Sequence, residues 1–184
     1  MRFSTPRRLG RLAPVVLAGC ALTGVPAVAA ADSPCSSAAG KPSTMTVATM
    51  RSDTQCLLNQ ERAEHGLHAL KLDSRLTRAA LGHSREMVTK RYFEHDSLSG
   101  RNFTGRIAGT GWMDGRKGWT VGENIGWGAR SRSTPRAVMN AWMHSTTHRQ
   151  NILHGGFRVI GIGITRGTPV AGLGGSTYTT DFGS

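Results

Sequence analysis

His144 and His148 stand four residues apart in Met143-His144-Ser145-Thr146-Thr147-His148. That is the spacing by which two imidazoles on one helical face hold zinc in HExxH peptidases. The general-base glutamate of that motif would follow the first histidine, and Ser145 stands there instead, so the spacing is present and the catalytic group is absent. Ser145 and His148 could also pair as nucleophile and base, but no third group or oxyanion loop accompanies them. Glu123 lies in Val121-Gly122-Glu123-Asn124-Ile125-Gly126-Trp127-Gly128, where flanking glycines let backbone approach closely. A carboxylate there either does metal or acid/base work or accepts backbone hydrogen bonds as a brace. His95 follows the aromatic pair Tyr92-Phe93 in a polar loop and reads equally as solvated or as functional. There is no G-x-S-x-G elbow, Walker loop or CxxC.

These groups need elements to hold them. Ser133 or Thr134 can cap a helix, and Pro135 fits its first turn. Val138, Ala141, Trp142 and Ser145 then share one face. Thr146 and Thr147 are poor helix residues, so a break is expected near them. The stretch from Val138 to Ile152 is read as one wall of a small His/Glu cleft. Upstream, Ser52-x-x-Gln55 reads as a capping box opening a helix to about His65, with Gly66 beyond its end. Leu67, Leu70 and Leu72 carry an extended link. Asp73 caps a second helix whose stripe is Leu76, Ala79, Ala80, His83 and Met87, so His83 is expected as a hydrogen-bonded core histidine in preference to a ligand. Asn102 can start a short helix through Ile107. A glycine-rich loop follows, with Trp112 and Trp119 as anchors. Phe157 to Thr165 alternates, with Ile160, Ile162 and Ile164 facing one way and Gly161 and Gly163 pressed against another element. Ser176 to Phe182 returns antiparallel to it.

The first segment is an address. Arg2, Arg7, Arg8 and Arg11 precede a short apolar run, and Ala27 to Ala31 offers small residues for cleavage, so residues 1–31 read as a secretory signal peptide. Leu17-Ala18-Gly19-Cys20 allows the alternative of a lipoprotein anchored through Cys20. The chain carries +12, and the four arginines of the signal leave 12 − 4 = +8. Dispersed arginines with few interleaved aromatics, on an exported chain, do not indicate nucleic acid. Anionic wall polymers or headgroups would be attracted, although charge alone does not choose between them. Residues 32–50 read as a flexible arm and 51–184 as one domain with no transmembrane span. Once Cys20 is cleaved or lipidated, Cys35 and Cys56 remain as an even pair in an oxidising compartment and are expected to form a disulfide; a catalytic thiol is the alternative, though neither lies near a histidine motif.

Five segments in order resemble the CAP superfamily, the SCP-like extracellular domains, and its bacterial branch in particular. They are LLNQERAEHGLHALKLDSRL, then HSREM with YFEHDSLSGR, GENIGWG, WMHSTTHRQNIL, and FRVIGIGIT. The resemblance runs from about Gln55 to Phe182. It implies an α+β fold, an α-β-α sandwich with a small antiparallel sheet between helices, in a secreted monomer. It also implies a cleft in which His95, Glu123 and His148 take family positions, with Ser145 where a second glutamate is otherwise expected. Two imidazoles and a carboxylate suit a divalent cation such as zinc, with water completing the shell. Glu123 could instead orient one imidazole from behind. The role implied is a non-enzymatic binding or effector module for a lipid, sterol or cell-envelope ligand. The alternatives are a metal-dependent, peptidase-like hydrolase using Glu123 as base, and a purely structural wall-associated domain.

Overall fold

The computed structural model describes residues 35–184. The signal peptide expected over 1–31 and the alternative anchor at Cys20 lie outside them. In chain order the elements are α1 (Val47–Glu64), β1 (Lys71–Leu72), α2 (Ser74–Lys90), α3 (Phe103–Ala108), β2 (Val121–Ala129), α4 (Pro135–Met143), α5 (Thr146–Ile152), β3 (Val159–Arg166) and β4 (Gly175–Gly183). The sheet order is β1-β3-β4-β2; β4 pairs antiparallel with both neighbours and β1 adds a two-residue parallel edge.

Two glycines set the distance between sheet and helix. A Cβ on Gly161 would stand 2.1 Å from the Leu76 carbonyl carbon, and one on Gly163 2.2 Å from that of Ala80. Helix α2 therefore lies backbone-close on β3, on the face the alternation reserved for it. The opposite face carries the larger core. Ile160, Ile162, Ile164, Tyr178 and Phe182 pack there with Leu57 and Leu58 of α1 and Val138, Met139 and Trp142 of α4. Each such side chain contributes about 1.5–3 kcal/mol on burial. Leu76, Ala79, Ile107 and Trp112 form a smaller cluster under α2 and α3. This is the sandwich that the family resemblance implies. No helix among the described residues is long and apolar enough to cross a membrane.

Several local signals hold. Asp73 Oδ1 accepts from the backbone N–H of Arg75 and Leu76, Asn102 caps α3 through Gly105, and Thr134 caps α4 through Ala137. His83 is fully buried, with Nε2 on the Glu94 carbonyl at 3.0 Å. The expected disulfide joins Cys35 and Cys56.

Other expectations are corrected. Helix α1 begins at Val47 with Thr46 as cap, five residues before the Ser52 box, because Met50 belongs to the core and extends the helix backward. Residues 35–50 are packed and not a loose arm: Ala38 and Met45 are buried, and Ser37 donates to Asp53 at 2.7 Å. Val121 to Ala129, given no element from its sequence, is a nine-residue strand. Its glycines lie where α4, α5 and Phe157 press against it: a Cβ on Gly126 would meet Trp142 at 3.0 Å, and one on Gly122 would meet Phe157 at 3.1 Å. Trp112 is a buried anchor, whereas Trp119 is 45% exposed.

Candidate functional site

Strand β2 is the sheet's edge, and its backbone is covered by side chains, which is one way such an edge is protected from pairing with another chain. Trp142 Nε1 of α4 donates to the Ile125 carbonyl at 2.9 Å, and Asn151 Nδ2 of α5 donates to the Glu123 carbonyl at 3.0 Å. Asn124 Nδ2 donates to the His148 carbonyl at 3.0 Å. These bonds dock α4 and α5 onto the edge and carry His148 with them. The break between the two helices falls at His144–Ser145, and Thr146 and Thr147 open α5 in place of ending the helix. The continuous turn an HExxH pair needs is therefore interrupted. His144 is exposed, with Nδ1 on the Asn140 carbonyl at 2.8 Å.

The other layer supplies His95. Arg91 ends α2 in the left-handed region (φ 58°) and turns the chain into the Tyr92–Asp96 loop. His95 Nδ1 reaches Glu123 Oε1 at 2.9 Å, and Arg106 of α3 reaches Glu123 Oε2 at 2.5 Å. The Glu123 side chain is 1% exposed and that of His95 50%, so a buried carboxylate stands behind a half-exposed imidazole. The hydrogen bond to Glu123 pushes the His95 pKa above its ordinary value, against the effect of burial. Burial, and then the charge of His95, hold His148 below it. The two imidazoles are thus near enough to interact and are biased toward opposite protonation states. Nδ1 of His95 donates to the carboxylate, leaving Nε2 as its free nitrogen.

Beside them runs an apolar groove of about 390 Å³. Ile125, Val138, Ala141 and Trp142 form its floor and wall, Ser145 and His148 line one end, and Phe93 and Trp127 are 38% and 36% exposed at its rim. The four helix positions read as one face, Val138, Ala141, Trp142 and Ser145, all line it.

Of the predicted residues, then, His95 and Glu123 touch, and Ser145 and His148 share the groove. Both oxygens of Glu123 are engaged, one by His95 and one by Arg106. That arrangement matches the orienting role, in which Glu123 holds an imidazole from behind. Among the described residues, no group of three His, Cys, Asp or Glu side chains is arranged to hold a metal ion. Two contributors escaped the sequence reading. Arg106 is one arginine among many and carries no signal. Asp181 did carry one: it is a lone carboxylate in an uncharged strand, out of phase with the Tyr178, Thr180 and Phe182 face, and hence directed under α2.

The model of the cysteine-rich secretory protein family, CAP, matches residues 56–178. The chain is 36% identical over 128 residues to the uncharacterized protein YkwD of Bacillus subtilis (strain 168), covering 68% of this chain and 44% of that protein. Among solved structures it is similar to an extracellular protein containing an SCP domain from Bacillus anthracis str. Ames, at 28% identity and TM-score 0.57 over 75% of this chain and 43% of that one. It also shares the fold of a cysteine-rich secretory protein from Staphylococcus aureus subsp. aureus Mu50, at 20% identity and TM-score 0.54 over 73% of this chain and 38% of that one. The chain spans less than half the length of each of these three. With the family model matched over residues 56–178, a span that includes the edge strand and both histidines, this chain belongs to the CAP, or cysteine-rich secretory protein, family.

Proposed function

We propose that this chain is an extracellular, non-enzymatic binding module whose cleft offers a divalent cation two imidazoles and whose adjoining groove takes an apolar ligand such as a lipid or sterol. The observation that carries the reading is the His95–Glu123 bond at 2.9 Å. A buried carboxylate holding Nδ1 fixes the ring and leaves Nε2 as the donor, which is how outer groups orient metal-binding histidines. His148, kept neutral by burial, is in the form a metal requires. The donor set fits a weakly held, water-completed ion better than a closed structural zinc. A cation bound there would supply a positive centre beside an apolar groove, the pair of features that an amphiphile with an acidic head recognises.

Export is supported by the basic and apolar leader, by the Cys35–Cys56 disulfide, and by the extracellular character of the Bacillus anthracis relative. Attachment through Cys20 would leave the domain on the same side of the membrane.

Calorimetric titration with zinc tests the metal reading. Wild type is expected to bind, His95→Ala/His148→Ala to lose binding, and Glu123→Gln to bind about 10–100-fold more weakly. Equal binding by wild type and the double variant would overturn it.

A further inference from the structure

A second cavity lies apart from the cleft. It is a trough of about 800 Å³ that shares only Ala137 with the apolar groove. Lys41, Arg130, Arg136 and Arg166 line it, and no aspartate or glutamate does. None of the four is in an ion pair among the described residues. Lys41, Arg130 and Arg166 are exposed and Arg136 is half-buried.

The trough is held open by packing. On one side, the segment after Cys35 is tied to α1 by the disulfide and by the Ser37–Asp53 bonds. Arg166 clamps the carbonyls of Pro42 and Met45 to the end of β3. On the other side, Tyr178 donates from its hydroxyl to the Ser133 carbonyl at 2.7 Å and fixes the turn before α4. A Cβ on Gly128 would collide with the Arg132 carbonyl oxygen at 2.0 Å, so that turn lies flat on the strand. Arg130 itself sits at φ 51°, a conformation rare for a residue with a side chain. Its N–H donates to the Gly174 carbonyl at 3.1 Å. Asp53 is buried, accepts from Ser37 and does not line the trough. The N-terminus of α4 opens at the rim with no acidic residue in its first turn, adding the positive end of a helix to the side-chain charge.

We propose that this trough binds a linear phosphodiester chain of the polyol-phosphate kind. Four cations lining one trough, of which Lys41 and Arg130 make no side-chain hydrogen bond among the described residues, suit a ligand that carries several phosphates. Ser43, Ser131 and Asn140 on the walls supply hydrogen bonds for polyol hydroxyls. No aromatic side chain lines the trough, so nothing stacks on nucleobases as single-strand binders require. No large apolar side chain lines it either, so nothing inserts into a bilayer as interfacial anchors do. A net charge of +8 outside the signal segment would bring any polyanion near the domain; the trough is where a chain of phosphates finds uncompensated charge, shape and hydroxyl partners together.

The test is calorimetric titration of the purified protein with a synthetic glycerol-phosphate oligomer. Lys41 and Arg130 make no side-chain hydrogen bond among the described residues, so reversing them leaves the fold intact, as an unchanged melting curve would verify. The expected result is binding by wild type, weakened at least about tenfold in Lys41→Glu/Arg130→Glu, with an intermediate loss in Arg130→Gln. Arg85→Glu/Lys117→Glu, the same change in net charge on exposed positions elsewhere, is expected to alter affinity less than about twofold. Three results would overturn the proposal: no binding by wild type, equal losses in the two charge reversals, or tighter trough-dependent binding of single-stranded DNA or phosphatidylglycerol vesicles at equal phosphate.

Discussion

Asp181 faces Glu123 across the β2–β4 pair, and both Asp181 oxygens are buried with no hydrogen-bond partner among the described residues. Helix α2 seals them on the side where Gly161 is the other cross-strand neighbour. Burial, with the charge of Glu123 added, drives the Asp181 carboxyl well above the usual range, and Arg106 only partly opposes this. Asp181 therefore holds its proton more tightly than a carboxyl in water does.

The sign of its pH dependence follows. A carboxyl that holds its proton more tightly when folded costs stability once pH rises above its unfolded value, and the cost grows until the folded value is passed. Asp181→Asn imitates the protonated form and cannot ionise. The variant is expected to melt several degrees above wild type at about pH 8, with the gap closing toward about pH 4.5. Thermal melts at the two pH values decide it; a variant less stable than wild type at the higher pH would mean that Asp181 is charged in the fold.

His95 and His148 are expected to titrate on opposite sides of an unperturbed imidazole, at about 6.5, His95 above and His148 below. Because the His95 value is raised, the stability from its bond to Glu123 is complete below the unfolded histidine value and fades as pH climbs through the folded one. Glu123→Gln removes the carboxylate that holds the His95 proton. In NMR titrations of the ring carbons, His95 should then move down. His148, relieved of a neighbouring charge, should move up. Zinc affinity in wild type should fall with pH as His95 takes its proton. Movement of both rings in the same direction would contradict the coupling.

Arg62 is fully buried and donates to four backbone carbonyls: His68 at 2.8 Å, Ile152 at 2.7 Å, His154 at 3.1 Å and Phe157 at 3.3 Å. It ties α1 to the link before β1, to the end of α5 and to the start of β3, and so braces the helix that carries His148. Burial lowers its pKa, as does the nearby Arg158. Arg62→Met keeps much of the volume and leaves the carbonyls without donors, so it is expected to cost about 3 kcal/mol or more by urea denaturation. Arg62→Lys should recover little, since one ammonium cannot reproduce the planar fork of donors.

The sequence disclosed the parts whose causes are local. Asp73, Asn102 and Thr134 cap because a short side chain beside an N-terminal turn has one favourable partner. Gly161 and Gly163 announced a close helix because alternation puts both on one face. Glu123 between glycines was legible as a buried carboxylate, but its occupation was not, because Arg106 and His95 arrive from elements 17 and 28 residues away. Strand β2 was hidden because Gly122, Gly126 and Gly128 imitate a loop; they serve instead to admit α4, Phe157 and the turn at Arg132. The early start of α1 was hidden because Met50 is committed only by a tertiary core.

The closeness of α2 and β3 makes one substitution carry opposite signs at two glycines. Gly163 has its missing Cβ aimed at the Ala80 carbonyl carbon and the Leu81 nitrogen, each 2.2 Å away. Those are backbone atoms within a helix, so no side-chain rotation relieves the clash; α2 must lift or β3 must bend. Lifting α2 would loosen Leu76 and Ala79 from their cluster with Ile107 and Trp112. Gly163→Ala is therefore expected to destabilise by about 3 kcal/mol or more, at the upper end for overpacking. Gly82 is an exposed residue within α2, and a Cβ there would meet nothing within 4 Å. Gly82→Ala is expected to stabilise by about 1 kcal/mol, because alanine restricts the unfolded chain and favours helix. Urea denaturation of the two variants against wild type measures both. If Gly163→Ala proved as harmless as Gly82→Ala, helix and strand would not be in the backbone contact on which the position of the whole α2 layer rests.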